Sequence, residues 1–418
     1  MEENNFCLFT GSPGTGKTTT IASWLSRISS KYRVRCFAPT GRAARVITAA
    51  MAEMGVEIQA TTIHSGLVPN RSGHGGGSWD FKFNHHNCLP ADVVVVDECS
   101  MLSNSLMVSL LSAIKPGTKV VLVGDPHQLP PIGAGLPFSD MIKSGVLPHA
   151  RLTKIHRYAG RLAHACQQIN DGKQIEFSKN LSINENAGSL GPENIVLSKT
   201  TNDAQKHKEL EKIIRFLIKN GYDIHQDIQV IVSRNDDGPV NRTDINDRIQ
   251  WIVNPDVKKL DECKFGLFDK VMCKSNGMRD GYIKEPRTEE LQKTPVPIYV
   301  ANGESGIVRH IEEEFVLVDF GRGPLIRFNR DAWLREKDLM LSYAITCHKA
   351  QGGGWPVIIY MIDTAQHVDR NLIYTAISRA KKMCFVIGSL RELNAGIREV
   401  KSRDRKTFVA EYLKELCT

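Results

Sequence analysis

The sequence lacks the patterns that mark secreted, zinc-binding and membrane-spanning proteins. Its ten cysteines are scattered singly from Cys7 to Cys417 without one CxxC pair, which argues against a disulfide framework or a zinc ribbon and favours a reducing cytoplasm. No signal peptide is recognisable, and no apolar run reaches the roughly 18 residues that cross a bilayer. We therefore expect a cytoplasmic, intracellular protein that does not interact with membranes.

Length and charge set broad limits on the rest. At 418 residues the chain is too long for one compact core, so two or three domains are expected. No repeat in the solenoid range is present. The hydrophobic content of 41% is ordinary for a globular protein, and the net charge of +8 favours polyanionic partners only weakly.

The most informative stretch is FCLFTGSPGTGKTTT, residues 6–20, which has the pattern of a strand, a glycine-rich turn and a helix start. Its GSPGTGKT matches the phosphate-loop pattern, in which glycines let backbone N–H groups converge on a polyphosphate. Lys17 would reach the β and γ phosphates, and the Thr18 hydroxyl would bind Mg²⁺. The alternative, an ordinary glycine-rich loop, is disfavoured because every element of the pattern is present. The predicted nucleotide-binding residues of this loop are Gly11, Pro13, Gly14, Thr15, Gly16, Lys17, Thr18 and Thr19.

The segment VVVVDE, residues 93–98, predicts a strand buried on both faces and followed by two acids. Asp97 would hold Mg²⁺, and Glu98 would orient and deprotonate a water. Two solvated acids at a strand end are the alternative, which the upstream phosphate loop makes less attractive. Gln128 follows the next strand and would touch the γ phosphate, and Arg157 could complete the clamp of charge around it.

Strands and helices alternate along both halves of the chain, which predicts parallel sheets flanked by helices. Two segments depart from this alternation. Residues 66–90 form a polar insertion with the pattern of a β-hairpin, and short β segments before residue 340 predict a small barrel. The basic segment 391–406 is predicted to be helical, either as a solvated face or as a phosphate-facing one, and the solvated face is favoured.

Taken together, several blocks resemble the superfamily 1 helicases, and among them the RecD-like branch. They occur in the family's order from residue 6 to about residue 413: GSPGTGKT, APTGRAA, TTIH, VVVVDECSM, VGDPHQLPPIGAG, LTKIHR, AITCHKAQG and LIYTAISRAKK. The resemblance implies two RecA-like lobes that bind ATP between them. The implied domains are a first lobe over 1–157 with a possible wedge hairpin at 66–90, a connecting helix and loop over 158–200, a second lobe over 201–270 and 340–418, and an SH3-like β subdomain over 271–339.

The resemblance also assigns roles to individual residues. Gln128 is similar to the family's γ-phosphate sensor, and Arg157 and Arg379 match its two arginines that meet that phosphate. The catalytic residues implied in this way are Lys17, Glu98, Gln128, Arg157 and Arg379. The metal would be held by Thr18 and Asp97, and the nucleotide also by Gln128 and Gly352. The DNA contacts implied are Thr40, Thr62, His64, Thr346, His348 and Lys349.

Several further expectations follow from the resemblance. Phe138 and Trp355 are candidates for base stacking or, equally well, for the core. Only five residues precede Phe6, where the family usually carries an adenine-reading glutamine block, and Gly353 and Gly354 replace the usual Ser-Glu. We therefore expect weak discrimination between ATP and GTP.

The resemblance implies an ATP-dependent DNA helicase with Mg²⁺ that moves 5′ to 3′ on single strands and unwinds duplexes. The alternative is a translocase or nucleoprotein remodeller without unwinding activity. The implied partners are single-stranded DNA, duplex junctions and possible replication or recombination proteins, and a monomer is favoured.

Overall fold

The computed structural model describes residues 4–69, 81–154, 161–177, 194–257, 259–260, 263–283, 291–292, 294–405 and 407–417. The chain divides into two compact units. The first contains Met1–Ala159 and Val400–Thr418, and the second contains Gly160–Glu399. No helix in the described ranges is both long enough and apolar enough to span a bilayer.

The first unit is built on a six-stranded parallel sheet with the order β3-β2-β4-β5-β1-β6. Its strands are β1 (Phe6–Gly11), β2 (Val34–Ala38), β3 (Thr61–Thr62), β4 (Val93–Val96), β5 (Lys119–Gly124) and β6 (His149–Leu152). Its helices before residue 159 are α1 (Lys17–Ile28), α2 (Gly41–Glu53), α3 (Ile63–Leu67), α4 (Asn104–Ser112) and α5 (Pro137–Ser144). This is the parallel sheet flanked by helices that the alternating pattern predicts, and it fits the first RecA-like lobe that the resemblance implies.

Strand β4 shows why this sheet is covered on both faces. All four of its valines are buried, and successive side chains point to opposite faces of a strand. Val94 and Val96 pack with α4 and α5 residues in one apolar cluster, whereas Val93 and Val95 pack with α1 and α2 residues in another. Helices therefore cover both faces of the sheet and leave the carboxyl ends of its central strands open. Ligands bind at these strand ends in open α/β sheets.

The second unit contains a five-stranded parallel sheet with the order β16-β8-β17-β18-β7. Its strands are β7 (Asn194–Lys199), β8 (Ile228–Val232), β16 (Ala344–Thr346), β17 (Trp355–Met361) and β18 (Ala380–Gly388). Its helices include α6 (Arg161–Asn170), α7 (Asp203–Lys219), α8 (Arg242–Val253), α10 (Cys347–Ala350), α11 (Arg370–Ile377) and α12 (Leu390–Arg398). This is the second RecA-like lobe.

A seven-stranded antiparallel sheet lies within the second unit, in the order β11-β10-β14-β13-β12-β9-β15. The strands are β9 (Lys270–Cys273), β10 (Gly277–Tyr282), β11 (Val296–Val300), β12 (Ser305–Ile311), β13 (Phe315–Asp319), β14 (Leu325–Asn329) and β15 (Leu339–Leu341), with α9 (Arg330–Trp333) before β15. Its inner face shares one apolar core with the parallel sheet, so the insertion is tied to its lobe by burial. The SH3-like classification of this region stays a prediction.

The C-terminal segment differs from its predicted place in the second lobe. Helix α13 (Val409–Cys417) belongs to the first unit, where it packs against α5 and places Leu413 beside an apolar cluster. The Arg405 guanidinium donates hydrogen bonds to the carbonyls of Gly133 and Gly135 in the same unit. These contacts join residues far apart in sequence, which is why local patterns did not reveal them.

Two other predicted segments can be compared with the structure, one of them only in part. Helix α6, predicted within the connecting segment, groups with the second unit. Of the hairpin predicted over 66–90, residues 70–80 lie outside the described residues. Pro69 and Phe81 on its two flanks form an antiparallel bridge, supported by hydrogen bonds from Lys82 N–H to the Val68 carbonyl and from Phe83 N–H to the Leu67 carbonyl.

Candidate functional site

The loop between β1 and α1 has the backbone that a polyphosphate cradle needs. Gly14 and Gly16 have φ angles of 82° and 83°, in the left-handed region that favours glycine. A Cβ added at Gly11 would clash with the Thr15 hydroxyl and crowd Leu152, which favours glycine there. Helix α1 starts at Lys17, directly after the loop, and directs its N-terminal N–H groups towards the cradle.

Lys17 lies within this loop rather than in solvent. Its Nζ donates hydrogen bonds to the carbonyl oxygens of Gly11 at 2.6 Å and Ser12 at 3.3 Å. The ammonium therefore sits where β and γ phosphates would be held. Carbonyl oxygens neutralise it less completely than phosphate oxygens would, so an incoming anion is the stronger partner.

The two acids after β4, Asp97 and Glu98, form the motif known as Walker B, and they lie at the same sheet edge as the phosphate loop. Strand β5 separates β4 from β1, and Asp97 immediately follows β4. The Thr18 hydroxyl donates to Asp97 Oδ2 at 3.2 Å, and the Glu98 N–H donates to Asp97 Oδ1 at 2.7 Å. The described residues contain no cluster of three or more metal-ligating side chains, but Mg²⁺ at nucleotides needs only one or two protein ligands besides phosphates. Thr18 and Asp97 fit that role.

Glu98 is held in an unusual conformation. Its φ of 55° and ψ of 38° place a non-glycine residue in the left-handed region, where backbone strain tends to mark functional sites. One carboxylate oxygen, Oε2, is buried without a hydrogen-bond partner in the described part of the chain. A buried acceptor without a donor is what a general base for water requires.

Burial, followed by repulsion from the neighbouring Glu98 charge, raises the pKa of Asp97 to about 6. Lys17 and the hydrogen bonds from the Glu98 N–H and the Thr18 hydroxyl act in the opposite direction. The site therefore carries excess negative charge in its empty state. A divalent cation would relieve this excess and favour the charged carboxylate.

Replacing this carboxyl should stabilise the empty protein. In EDTA at pH 7, Asp97→Asn is expected to raise the free energy of unfolding by about 1–3 kcal/mol. The asparagine can still accept from the Glu98 N–H and can donate to Thr18. Because the folded pKa is raised, the stability contributed by protonated Asp97 is complete below about pH 4 and is lost as the pH rises through about 6.

Urea unfolding of both proteins at several pH values measures this difference in stability. The advantage of Asp97→Asn should appear near neutral pH and disappear near pH 4. A stability difference that is independent of pH would show that the buried carboxyl is not the cause.

Gln128 completes the group at this edge. It is buried and follows β5 in the turn Asp125-Pro126-His127-Gln128, where the N–H groups of Gln128 and His127 donate to the Asp125 backbone oxygen and Oδ1 at 3.2 and 3.1 Å. Since β5 lies between β4 and β1, this turn falls between the Walker B acids and the phosphate loop. Arg157 lies outside the described residues, so its assignment stays a prediction.

In the second unit, Arg379 contacts the glycine-rich segment QGGG, residues 351–354. The guanidinium is buried, and it donates from Nε to the Thr375 carbonyl at 3.1 Å and from Nη1 to the Gly353 carbonyl at 3.2 Å. Its Nη2 is buried without a hydrogen-bond partner among the described residues. Gly352, beside this contact, has a φ of 70°. Gly353 was expected only as a departure from the family pattern, and its carbonyl now proves to hold Arg379.

Comparisons with known proteins agree with this geometry. A family model described as an AAA domain matches residues 1–190, and one described as a UvrD-like helicase C-terminal domain matches residues 341–387. The ATP-dependent RecD2 DNA helicase of Deinococcus radiodurans is 29% identical over 91% of this chain and 47% of its own length. The RecBCD enzyme subunit RecD of Mycolicibacterium smegmatis is 27% identical over 93% of this chain and 69% of its own length.

The chain is similar to the RecD-like branch of the superfamily 1 helicases over more than nine-tenths of its length. It spans about half the length of the first of these relatives. A solved structure of two Pif1 helicases at forked double-stranded DNA matches with a TM-score of 0.49 and 17% identity, covering 99% of this chain and 94% of the other. The family assignment rests on the family models and the relatives.

The candidate DNA contacts of this RecD-like chain in the first unit lie at the ends of two adjacent strands. Thr40 caps α2 and accepts from the Ala43 N–H at 3.2 Å, and Thr62 caps α3 and accepts from the Ser65 N–H at 3.1 Å. Each hydroxyl uses a lone pair for its cap, so its proton remains free for donation to a phosphate. His64 packs its ring 6.0 Å from that of Phe81, and burial lowers its pKa, which favours the neutral imidazole.

The substitution Thr40→Asp should keep the helix cap of α2 while it disrupts the proposed contact with a DNA phosphate. Aspartate caps helices about as well as threonine, so we expect the melting temperature to be preserved. Its negative charge would repel a phosphate, so single-strand affinity should fall by at least about tenfold. Thr40→Asn, a neutral cap, is the matched control. Equal affinities of the two variants in a fluorescence-anisotropy titration would remove Thr40 from the DNA path.

In the second unit the candidates cluster around α10. Thr346 ends β16 and precedes the helix, and His348 is exposed on it. The Lys349 ammonium donates to Asn302 Oδ1 at 3.3 Å, in the turn between β11 and β12. This contact could not be predicted from local patterns, because Asn302 belongs to the antiparallel sheet region.

The two stacking candidates are core residues. Phe138 and Trp355 are 1% and 5% exposed, and Phe138 packs in an apolar cluster of the first unit. A Cβ added at Gly124 would lie 2.7 Å from the Phe138 ring. Neither ring is available to a base, so the core alternative holds for both.

Proposed function

We propose that this chain is an ATP-dependent DNA helicase that moves 5′ to 3′ along single-stranded DNA and unwinds duplexes. The observation that carries the proposal is the convergence of the phosphate loop, the Walker B acids and Gln128 at one edge of the first parallel sheet. The printed activity of the RecD2 relative, an ATP-dependent DNA helicase, supports the same assignment.

In this proposal the residues of the first unit bind and hydrolyse ATP. Lys17 and the loop N–H groups hold the β and γ phosphates, and Thr18 and Asp97 hold Mg²⁺. The metal would neutralise charge that develops on the transferred phosphoryl group. Glu98 orients a water and accepts its proton through the buried Oε2 that has no partner among the described residues. No covalent intermediate is needed.

Three further groups are proposed to contact the γ phosphate: Gln128, Arg157 and Arg379. The side chain of Arg379 supports its role, because two of its nitrogens are anchored on carbonyls while the third is buried without a partner in the described ranges. A guanidinium anchored in this way loses little further conformational entropy when it binds a phosphoryl oxygen.

The DNA contacts are proposed to be hydroxyl, imidazole and ammonium groups that bind the phosphate backbone. Such groups do not read base edges, so sequence preference should be weak and salt dependence strong. The proposed partners are single strands and duplex junctions, together with replication or recombination proteins, and the proposed state is a monomer.

Steady-state ATPase assays with and without single-stranded DNA test the proposal. Stimulation by the strand is expected, as is displacement of a 5′-tailed duplex in preference to a 3′-tailed one. Stimulation without displacement would instead support a translocase or nucleoprotein remodeller. ATP turnover that single-stranded DNA does not change would contradict both the helicase and the translocase assignments.

His348→Ala tests the coupling between DNA and ATP. Because His348 is exposed beside the Thr346 cap, the variant should fold normally and keep its basal ATPase. Its stimulation by single strands is expected to fall several-fold, since a phosphate contact is lost. Full stimulation at saturating DNA would show that His348 does not take part in coupling. His310, an exposed histidine in β12 that pairs with Glu312 at 2.7 Å, provides the control His310→Ala.

A further inference from the structure

Lys349 links the parallel sheet region of the second unit to its antiparallel sheet. It lies on α10, but its ammonium donates to Asn302 in the turn between β11 and β12, at 3.3 Å. The turn itself is fixed, because the Asn302 N–H donates to Asn276 Oδ1 at 2.9 Å and the Gly303 N–H donates to the Cys273 carbonyl at 2.8 Å. Lys349 is therefore held at the boundary between the two sheets.

Two other cations face this position. Lys274 follows β9 and donates to the Glu336 backbone carbonyl at 2.6 Å, and Arg242 begins α8 and donates from Nη2 to Glu336 Oε2 at 3.2 Å. The pKa of Lys349 is lowered by burial, and repulsion from Lys274 and Arg242 lowers it further. Lys274 and Arg242 are thus near enough to disfavour the charged form of Lys349.

Acidic groups compensate this charge only in part. Glu336 is the buried partner of Arg242, and Asp236, 3.5 Å from Arg242, has a side chain that is 73% exposed. Nε and Nη1 of Arg242 are buried without acceptors among the described residues. Buried guanidinium N–H groups normally have partners, so the cluster has donor capacity and positive charge in excess.

The backbone next to the cluster is also strained. Glu336 has a φ of 53°, in the region that non-glycine residues rarely adopt, and such strain is concentrated at binding and switch sites. Arg279, a fourth cation nearby, is matched by Asp338 at 3.5 Å and by the Ser275 hydroxyl at 2.7 Å, although its Nε is also buried without a partner among the described residues. Lys274 and Lys349 each donate to one protein oxygen, so most of their donor capacity is available to a ligand.

We propose that Lys274, Lys349 and Arg242 form a phosphate-binding pocket for the backbone of a nucleic acid strand. The proposal rests on the proposed function and adds residues of the antiparallel sheet region to the DNA path. Lys274 and Lys349 are half-buried residues, and the buried Arg242 adds a third positive charge near Lys349. Thr346 and His348, on the same short segment as Lys349, extend the row of phosphate donors.

A nucleic acid phosphate fits this pocket better than a carboxylate ligand. The accessible groups are ammonium point charges, which bind phosphate oxygens without requiring the planar fork that a carboxylate would match with an arginine. The single phosphate accommodated here would be one of several along a strand. Loss of this contact should therefore lower the slope of log affinity against log salt by the amount expected for one phosphate.

The test uses a fluorescently labelled oligothymidylate and the full chain without nucleotide. For Lys274→Gln we expect the affinity at about 50 mM salt to fall about three- to tenfold, and the slope of log affinity against log salt to decrease by about 0.7, as for one lost phosphate contact on a single strand. Lys274→Arg should restore most of the binding. Lys219→Gln, an exposed lysine at the end of α7 in the same unit, is the matched control.

The outcomes separate this inference from the proposed function. A parent protein that binds the strand with strong salt dependence, together with a Lys274→Gln variant of unchanged slope and melting temperature, would overturn the pocket alone. A variant that loses affinity only through a lower melting temperature, with an unchanged slope, would also overturn it. A parent that does not bind the strand would overturn the proposed function and the pocket with it.

Discussion

Lys17→Ala is expected to reduce ATP turnover by at least about 10²–10³-fold while single-strand binding without nucleotide is unchanged. The reason is the position of the ammonium, which is held on the Gly11 and Ser12 carbonyls inside the loop. Removing it deletes the positive charge proposed for the β and γ phosphates, and the DNA candidates lie on other segments. ATPase and anisotropy measurements on the same preparation test both parts.

The matched control for this variant is Lys115→Ala. Lys115 is an exposed lysine in the turn that precedes β5 in the same unit, so its loss changes the net charge equally. Its turnover should be that of the parent protein. Substantial turnover by Lys17→Ala would contradict the assignment of the phosphate loop, and loss of DNA binding in a folded Lys17→Ala protein would contradict the separation of the two sites.

Arg379→Ala is expected to lower the ATP turnover number by about 10³–10⁵-fold, the range found for arginines that contact a transferred phosphoryl group. We expect ADP affinity to change far less, since ADP lacks the γ phosphate that the guanidinium would meet. Arg379→Lys retains the charge but not the planar fork, so it should recover only part of the activity. Turnover at saturating ATP and equilibrium ADP binding are the two measurements.

Truncating Arg379 also removes a donor from two carbonyls. The Thr375 carbonyl keeps the Ser378 hydroxyl as a donor, whereas the Gly353 carbonyl loses the bond from Arg379, which costs about 1–3 kcal/mol if no other donor replaces it. Arg370 provides the control for this structural cost, because it too donates to two backbone carbonyls of the second unit, those of Ile397 and Asn170. Arg370→Ala should lower the melting temperature without a matching loss of turnover. Equal losses of turnover in the two variants would assign Arg379 a structural role only.

The fold of both lobes could be predicted because each signal is local. Four consecutive valines before two acids predict a strand buried on both faces, and β4 is buried on both faces with Asp97 and Glu98 directly after it. The phosphate loop could be predicted equally well, since left-handed glycines and a following helix are features of one short segment. These patterns depend on neighbouring residues, which the sequence displays directly.

Predictions that required long-range packing were less successful. Phe138 and Trp355 were candidates for base stacking, but burial places both in the core. The segment after residue 400 was assigned to the second lobe, yet α13 packs in the first unit. An exposed and a buried aromatic ring have the same local pattern, and a terminal helix carries no local signal for the surface that it covers.

The sequence by itself predicted the glycine-rich loop before Lys17, the two acids after a buried strand, the alternation of strands and helices and the resemblance to the RecD-like helicases. The tertiary structure decided which charges meet: that Asp97 is buried beside Glu98 so that its pKa rises to about 6, that Arg379 is anchored on Gly353, and that Lys349 faces Lys274 and Arg242. Motifs depend on the order of residues along the chain, whereas burial and charge interactions depend on distances that only the folded chain fixes.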